Sequence, residues 1–419
     1  MRRAIALSAA LVLVAACGGS SFSPVGRGQD WPQFRGDLFR NGHPSSATLT
    51  RDQLKHFKTR WTNTLPGAVD GTPVVSGGLV FVGSYGGRFA AFHLDDGSQA
   101  WSVDDAGAIS SSAAVSGHTV VVATLTGHVR AYSTDDGHKL WDWAAPGNKP
   151  ALWSSPAIYR RTVVIGIASQ YGDTPLEAGR VVALDLATGK EHWDFCVRPR
   201  CGAGSGVWSS TAIDDGGHGY VGAGNPDDSV MAFDIGSGEH LWTTTIYPAG
   251  RADFDVGGTP VVIQVGTSEL IADGSTAGVF ALLNAGTGKA IWSRQIVQGG
   301  AVHGLIASPA FDGNKTIYVA SASVPTDLFA LDVLTGATLW HRGLGKPIYS
   351  APALGKGVVV FGIGDQPTGK GGGVYGLDAS DGTLLWGVDD QYAVLGAPAI
   401  AGSIVIVGDT GGSVTAYST

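Results

Sequence analysis

Charged residues are scarce in this chain of 419 residues. They form 15% of the sequence and leave a formal net charge of −8, whereas soluble proteins average about 25% charged residues. No run of Lys and Arg is interleaved with aromatic residues, so we expect no nucleic-acid partner. Glycine is abundant instead, with 64 residues, which suits short strands and tight turns better than exposed charged helices.

Several catalytic motifs are also missing. The sequence has no Cys-x-x-Cys-His for an attached haem, and no Gly-x-Ser-x-Gly or His-Glu-x-x-His typical of hydrolases. It contains three cysteines, Cys17, Cys196 and Cys201. Because no third Cys or His lies at ligand spacing from Cys196 and Cys201, a metal site there is not expected. In an exported protein this close pair predicts a disulfide, the alternative being two buried thiols.

The N-terminus has the composition of an export signal. Arg2 and Arg3 precede an apolar run from Ala4 to Ala16, which is too short to span a membrane. The sequence Val14-Ala15-Ala16-Cys17 resembles a bacterial lipobox, which implies cleavage before Cys17 and its lipidation. We therefore predict a signal peptide at 1–16, a lipidated flexible tether at 17–30 and an extracytoplasmic, membrane-anchored protein. The alternative is an ordinary signal peptide with an incidental cysteine.

Tryptophan recurs at nearly even intervals through the rest of the chain. Eight tryptophans lie 40 to 52 residues apart, and seven of them end the pattern Gly-x-x-x-Trp. They are Trp61, Trp101, Trp141, Trp193, Trp242, Trp292, Trp340 and Trp386. One such unit cannot bury its own faces, so units of this length stack into a closed array. We predict an all-β fold over residues 31–419, an eight-bladed β-propeller of four-stranded blades.

The two chain ends predict how the ring closes. Residues 403–419 supply the inner strands of an eighth unit and stop where a Trp-bearing strand is due. Trp61 lacks the Gly-x-x-x lead, so residues 58–61 should complete that last unit and remove its open edge. Residues 31–50 are then expected to pack across one face as a cap.

The repeat resembles a known family. With its pattern Ala-Leu-Asp-x-x-Thr-Gly-x-x-x-Trp and the opening segment at 30–37, the chain looks like the pyrroloquinoline quinone (PQQ) type propellers. That family includes quinoprotein dehydrogenases and also cofactor-free binding proteins, such as the propeller lipoprotein of the outer-membrane barrel-assembly machine. The aspartates of this repeat, for example Asp185 and Asp234, are predicted to be structural turn residues.

A narrower resemblance covers the middle of the chain. Four segments are similar to polyvinyl-alcohol dehydrogenase-like quinoproteins, namely 202–214, 220–225, 253–260 and 299–304. The resemblance implies that Trp208 forms the stacking floor for the quinone and that Asn225 is a cofactor-binding residue and calcium ligand. It also implies catalytic or ligand roles for Asp253 and Asp255, with Glu177 as a further calcium ligand.

The sequence departs from those dehydrogenases in ways that matter for the cofactor. Residues 275–278 lack the expected lysine, and Gln170-Tyr171 replaces an acidic pair. Each candidate residue also has an ordinary structural interpretation. We therefore predict a monomeric, lipid-anchored binding or scaffold propeller that needs no cofactor and takes an envelope protein or polymer as its partner. The alternative is a PQQ- and calcium-dependent alcohol dehydrogenase.

Overall fold

The computed structural model describes residues 29–248 and 253–419, and it confirms the predicted architecture. The chain forms eight four-stranded antiparallel sheets, each of which is one blade. The first strands of successive blades lie side by side around the axis, and the first strand of the eighth blade returns to that of the first. The predicted signal peptide and Cys17 lie outside the described residues. In the described part of the chain, no helix has the length and apolar character needed to cross a membrane.

The strands are numbered in chain order, and each blade takes four of them from the channel outwards. Blades one to four contain β2 Val74–Ser76, β3 Leu79–Gly83, β4 Phe89–His93, β5 Gln99–Val103, β6 Ala114–Ser116, β7 Thr119–Ala123, β8 His128–Ser133, β9 Lys139–Ala144, β10 Ala157–Tyr159, β11 Thr162–Ile167, β12 Arg180–Asp185, β13 Glu191–Cys196, β14 Ala212–Ile213, β15 His218–Ala223, β16 Ser229–Asp234 and β17 His240–Thr245.

Blades five to eight contain β18 Val261–Val265, β19 Ser268–Gly274, β20 Val279–Asn284, β21 Ala290–Gln295, β22 Ala310–Phe311, β23 Thr316–Ala320, β24 Asp327–Asp332, β25 Thr338–Gly343, β26 Ala353–Leu354, β27 Val358–Asp365, β28 Lys370–Asp378, β29 Leu384–Tyr392, β30 Ala399–Ala401, β31 Ile404–Gly408, β32 Ser413–Ser418 and β1 Lys58–Thr64. Two short helices complete the described elements, α1 at Arg51–Leu54 and a 3-10 turn at Pro199–Cys201.

The ring closes through its two chain ends, as predicted. Strand β1 pairs antiparallel with β32, and Trp61 lies opposite Ala416. The eighth sheet therefore has the order β1-β32-β31-β30. Because β1 covers the edge that β32 would otherwise expose, the last blade gains its fourth strand from the start of the chain.

Neighbouring blades are joined by the tryptophan and the turn glycine of the Gly-x-x-x-Trp pattern. In seven blades the indole N–H donates to a carbonyl in the third turn of the next blade, as Trp141 does to Leu186 at 2.8 Å. The turn glycine of that next blade lies flat on the same indole. At Gly189 the φ angle is +68° and an added Cβ would come within 2.6 Å of the Trp141 ring. Glycine is needed there for both its conformation and its missing side chain.

Trp386 is the exception, and the position of the chain ends explains it. The blade that follows it is the eighth, whose third and fourth strands belong to opposite ends of the chain, so no turn connects them. Trp386 instead packs edge-on against Phe57 and Tyr417, with ring centroids 5.5 Å and 5.1 Å away. Phe57 follows α1, so the segment before β1 fills the place of the missing turn.

The two faces of the ring differ in what they carry. One, here the mouth face, holds the connections between blades and the loops between second and third strands. The other, the turn face, holds the remaining tight turns. There the predicted turn aspartates act as expected: Oδ1 of Asp185 accepts from the backbone N–H of Thr188 at 2.9 Å, and Oδ1 of Asp234 accepts from that of Ser237 at 2.7 Å.

Residues 31–50 cap the turn face and contact every blade. Their carbonyls accept backbone hydrogen bonds from the first strand of one blade after another, beginning with Val75, which bonds to Trp31 at 2.8 Å. Two fully buried arginines extend this cap into the channel. Arg35 donates to the carbonyls of Pro309, at 2.6 Å, and Pro352, while Arg40 donates to that of Thr211 at 2.9 Å.

Burial alters the ionisation of these groups. It lowers the pKa of Arg35 to about 9 and the pKa of Arg40 to about 10, while nearby Asp37 acts in the opposite direction. Both guanidinium groups remain protonated at neutral pH and have carbonyl oxygens as acceptors. Through these hydrogen bonds, the two charged side chains join blades that are far apart in the sequence.

Replacing Arg40 with alanine should destabilise the ring. The change removes a buried cation and leaves the carbonyls of Thr211 and Phe34 without this donor. We expect the free energy of unfolding to fall by about 3–5 kcal/mol, as measured by urea denaturation. Arg161→Ala is the control, because that side chain is 76% exposed and should contribute less than about 1 kcal/mol. Equal losses in both variants would contradict the role assigned to Arg40.

Candidate functional site

The central channel contains a cavity of about 160 Å³ to which all eight blades contribute. Each blade has a small residue just ahead of its first strand, here called its small-residue mark: Thr72, Ser112, Ser155, Ser210, Thr259, Ser308, Ala351 and Ala397. Each blade also supplies to the lining the residue that lies two positions before this mark. These eight equivalent residues are Asp70, Ser110, Trp153, Trp208, Gly257, Ile306, Tyr349 and Leu395. Phe34 of the N-terminal cap also lines the cavity, so the channel is closed on the turn face and the cavity belongs to the mouth face.

The small-residue marks form a hydrogen-bonded belt around this cavity. The backbone N–H of Ser112 donates to Oγ of Ser155 at 3.0 Å, and the same bond recurs from Ser155 to Ser210, from Ser210 to Thr259 and from Thr259 to Ser308. Alanine follows in blades seven and eight, so no hydroxyl continues the belt there. The belt fixes the first strands of five blades and with them the lining residues just upstream.

Trp208 lies in the channel wall, with its ring against the backbone of the next blade. An added Cβ at Gly257 would come within 1.5 Å of the Trp208 ring, so the glycine creates the space that the indole occupies. The indole N–H donates to Oδ2 of Asp255 at 3.3 Å. Trp208 was predicted as a stacking floor for a quinone, and the structure places its ring in the cavity wall.

Asp255 and Asn225 meet beside Trp208. Oδ1 of Asp255 accepts from the backbone N–H of Asn225 at 2.8 Å, and the Asn225 side-chain amide donates to Oδ1 of Asp253. Burial raises the pKa of Asp255, the Asn225 amide opposes this, and Asp253 adds to the increase. The structure therefore brings together four of the predicted site residues, although Asp253 is exposed.

Glu177 lies in a separate network. Its carboxylate accepts from the backbone N–H groups of Asn148, at 3.0 Å, and Lys149, at 2.6 Å. Among the contacts of the described residues, none joins this carboxylate to Asn225 or Asp253. Within residues 29–248 and 253–419, no group of three or more His, Cys, Asp and Glu side chains could hold a metal ion. A calcium site there stays a prediction, and it would require Glu177 to leave these amides.

The cavity does not fit a quinone that carries three carboxylates. Among the described residues that line it, none is Lys or Arg, and the one charged residue is the acid Asp70. Two arginines, Arg180 and Arg251, are the candidates to replace the missing lysine. Arg180 pairs with Asp194 on the outer strand of its own blade, and Arg251 lies outside the described residues. The lining of the cavity therefore gives no support to a reaction through such a cofactor.

The disulfide predicted from the sequence is present. Cys196, at the end of β13, is joined to Cys201 in the following 3-10 turn, with their Cα atoms 5.1 Å apart. This pair begins the connection that leads to Trp208 on the mouth face. It therefore restrains the start of a site loop rather than a reactive centre.

Three residues of the lining were not predicted from the sequence: Asp70, Trp153 and Tyr349. A signal was available, because Trp153-Ser154-Ser155 repeats Trp208-Ser209-Ser210 one blade earlier, and all eight lining residues share that register. Oδ1 of Asp70 is buried and has no hydrogen-bond donor among the described residues. Burial raises the pKa of Asp70 to about 6, and a hydrogen bond from Tyr85 acts in the opposite direction.

Tyr171 lies in the mouth-face loop between β11 and β12 of blade three and is exposed. Burial raises the pKa of Tyr349 of blade seven to about 12, with the charges of Asp365 and Tyr171 contributing. This charge interaction relates the loop of blade three to a residue of the cavity lining.

Fold and site together define a PQQ-type eight-bladed β-propeller whose channel is closed at one end. Within that class, the chain belongs to the family described as outer membrane protein assembly factor BamB. The family model matches residues 58–273 and 276–419.

The relatives include both an enzyme and an assembly factor. The chain is 28% identical over 218 residues to a polyvinylalcohol dehydrogenase of Sphingopyxis sp. (strain 113P3), a match that covers 39% of this chain and 33% of the relative. It is 27% identical over 241 residues to the outer membrane protein assembly factor BamB of Burkholderia pseudomallei (strain K96243), covering 55% of this chain and 56% of the relative. The chain thus spans between a third and somewhat over half of these relatives.

A solved structure shows the same fold. A europium-containing methanol dehydrogenase superimposes with a TM-score of 0.82 and 14% sequence identity, and the match covers 94% of this chain and 98% of that one. At this identity the likeness supports the eight-bladed ring alone.

Asp70→Asn should change how stability depends on pH. An acid whose pKa rises from 3.8 to about 6 on folding contributes fully to stability below pH 3.8, and this contribution is lost as pH rises through 6. Between pH 4 and pH 7.5 the free energy of unfolding of the variant, relative to that of the wild type, should therefore rise by at most about 3 kcal/mol. Urea unfolding at the two pH values measures this difference. Asp52→Asn is the control, because Asp52 is 94% exposed. A constant difference at both pH values would contradict the prediction.

Proposed function

We propose that this protein is a binding or scaffold propeller of the cell envelope, which holds an envelope protein or polymer on its mouth face. The observation that carries the proposal is the pattern of exposed apolar side chains. The two most exposed large ones, Val324 at 83% and Tyr171 at 72%, both lie on mouth-face loops. Exposed apolar groups on loops held by a rigid scaffold are typical of partner binding.

The family supports this proposal, since its description and several relatives name an outer membrane assembly factor. Such relatives imply a partner among envelope proteins. The absence of any cation from the described cavity lining also favours binding without the quinone.

The predicted lipid anchor would suit this use of the ring. The chain enters on the turn face, where Oδ1 of Asp30 accepts from the backbone N–H of Gly77 at 3.1 Å, in the first turn of blade one. An anchor at Cys17 would therefore approach the ring from the turn face. The mouth face would be left accessible to a partner in the extracytoplasmic space.

A dehydrogenase remains the second candidate, because a specific observation favours it. Asn225 and Asp255 lie together beside Trp208 of the cavity wall, and these are residues for which the likeness to polyvinyl-alcohol dehydrogenases implies a role. In that reaction a carboxylate would accept the proton of the alcohol, and Asp255 is the half-buried carboxylate that could do so. The charge of the lining argues against the quinone itself.

Photo-cross-linking should locate the partner surface. We expect a photoreactive phenylalanine analogue at position 171 or 324 to cross-link an outer-membrane protein in cells at least about tenfold more strongly than the same analogue at position 334, because interface contacts are local. Leu334 is the matched control, since it is apolar and 56% exposed but lies on the turn face. Equal cross-linking from all three positions would remove the support for a mouth-face partner.

Cofactor binding separates the two candidates. We expect residues 18–419, purified and mixed with PQQ and calcium, to retain no quinone after gel filtration, because the described lining carries an acid and no cation. Absorbance of the eluted protein measures retention, and dye-linked alcohol oxidation measures turnover. Retention together with turnover that is lost in Asp255→Asn would identify a dehydrogenase instead.

A further inference from the structure

The lining of the channel cavity combines an acidic group with aromatic walls. Among the described residues that line it, Asp70 is the one carboxylate and none is Lys or Arg. The guanidinium groups of Arg35 and Arg40 in the cap are not part of this lining, and they are bonded to carbonyl oxygens. The buried Oδ1 of Asp70 lacks a donor in the part of the chain that the structure describes. A buried carboxylate oxygen without a donor favours a ligand that supplies one, and a charged donor gives the strongest bond.

The aromatic residues of the cavity offer ring surfaces rather than hydrogen-bond donors. The indole N–H of Trp153 is bonded to the carbonyl of Ser169 at 2.9 Å, and that of Trp208 to Asp255. Their rings, together with those of Phe34 and Tyr349, line the cavity. Ring faces attract cations and repel anions, because the π-electron density above a ring is negative.

The size of the cavity limits what it can hold. Its volume of about 160 Å³ is below the ~300–1,000 Å³ of sites for drug-sized ligands. The closed end at Phe34 prevents a longer molecule from passing through. A single small group, or the tip of a side chain that enters from the mouth face, is what fits.

We propose that the channel cavity is a binding site for one organic ammonium group, held between the Asp70 carboxylate and the rings of Trp153 and Trp208. Two sources have this chemistry: a free small amine, and a lysine side chain presented by a partner. The cavity can take a free amine whether or not the mouth face carries a partner, so the two proposals fail independently.

Calorimetry with small probes tests the site in the whole protein. We expect tetramethylammonium and n-butylammonium to bind at pH 8, where Asp70 is ionised, at least about tenfold more tightly than neutral 3,3-dimethylbutan-1-ol. Both cations gain the charge attraction of the carboxylate and the cation–π attraction of the rings, and n-butylammonium also donates an N–H bond. The alcohol can donate its hydroxyl but carries no positive charge. The anion 3,3-dimethylbutyrate should not bind. Equal affinity for the cations and the alcohol, or no binding of either cation at 50 mM, would overturn the proposal.

Variants assign the binding to the named residues. Asp70→Asn keeps the shape of the side chain and should weaken the binding of n-butylammonium by about tenfold or more, while Asp52→Asn should leave it unchanged. Trp153→Leu keeps an apolar wall and should weaken binding of tetramethylammonium severalfold, with circular dichroism confirming that the variant is folded. Unchanged affinity in Asp70→Asn would overturn the proposal, even if Trp153→Leu failed to fold.

A peptide distinguishes the two sources of the ammonium group. N-acetyl-Gly-Lys-Gly-amide should bind at least as well as n-butylammonium if a partner lysine is the ligand, and its lysine-acetylated form should not bind. Binding of n-butylammonium alone would assign the site to a free amine. If Asp70→Asn abolished amine binding but left the cross-links from Tyr171 and Val324 unaltered, the cavity and the partner surface would be separate sites.

Discussion

Closure of the ring is the constraint on which the rest of this molecule depends. A blade cannot bury both of its faces alone. Seven of the eight blades receive the tryptophan of the preceding blade, whose ring rests on their turn glycine and whose indole N–H bonds to their backbone. The eighth blade receives Trp386, which packs against Phe57 and Tyr417 instead. The contact that Trp61 of the eighth blade makes with the turn glycine and backbone of the first blade requires β1 to be paired with β32. The first and eighth blades are therefore packed on both sides only when the two ends of the chain have paired.

The N-terminal cap closes the central channel at the turn face. Two buried guanidinium groups donate to carbonyls of blades that are distant in sequence, and Phe34 forms part of the cavity wall. The cap thus stabilises the ring and sets the depth of the channel with the same residues. The cap also makes the two faces different, because it covers the turn face while the long, exposed loops lie on the mouth face.

The sign of the charge in the cavity separates this chain from what its fold alone would suggest. Quinone-dependent enzymes and assembly factors share the eight-bladed ring, so the lining residues decide which ligand can enter. Here Trp208, Asn225 and Asp255 lie together, and the lining of the cavity carries the acid Asp70. This lining is the basis of the proposed cation site, whereas the proposed protein partner rests on the exposed loops of the mouth face.

The spacing of residues along the chain was enough to predict the blade number, the closing strand, the cap and the Cys196–Cys201 pair, because each follows from local spacing or from an edge that has to be covered. The resemblance to quinoproteins pointed to Trp208, Asn225, Asp253 and Asp255, which come from neighbouring blades. The three-dimensional fold was needed to bring Asp70 into one lining with the aromatic residues and to show that Glu177 is bonded to backbone amides. Successive lining residues are 40 to 55 positions apart and meet only when the ring closes, so the charge of the cavity is a property of the closed ring.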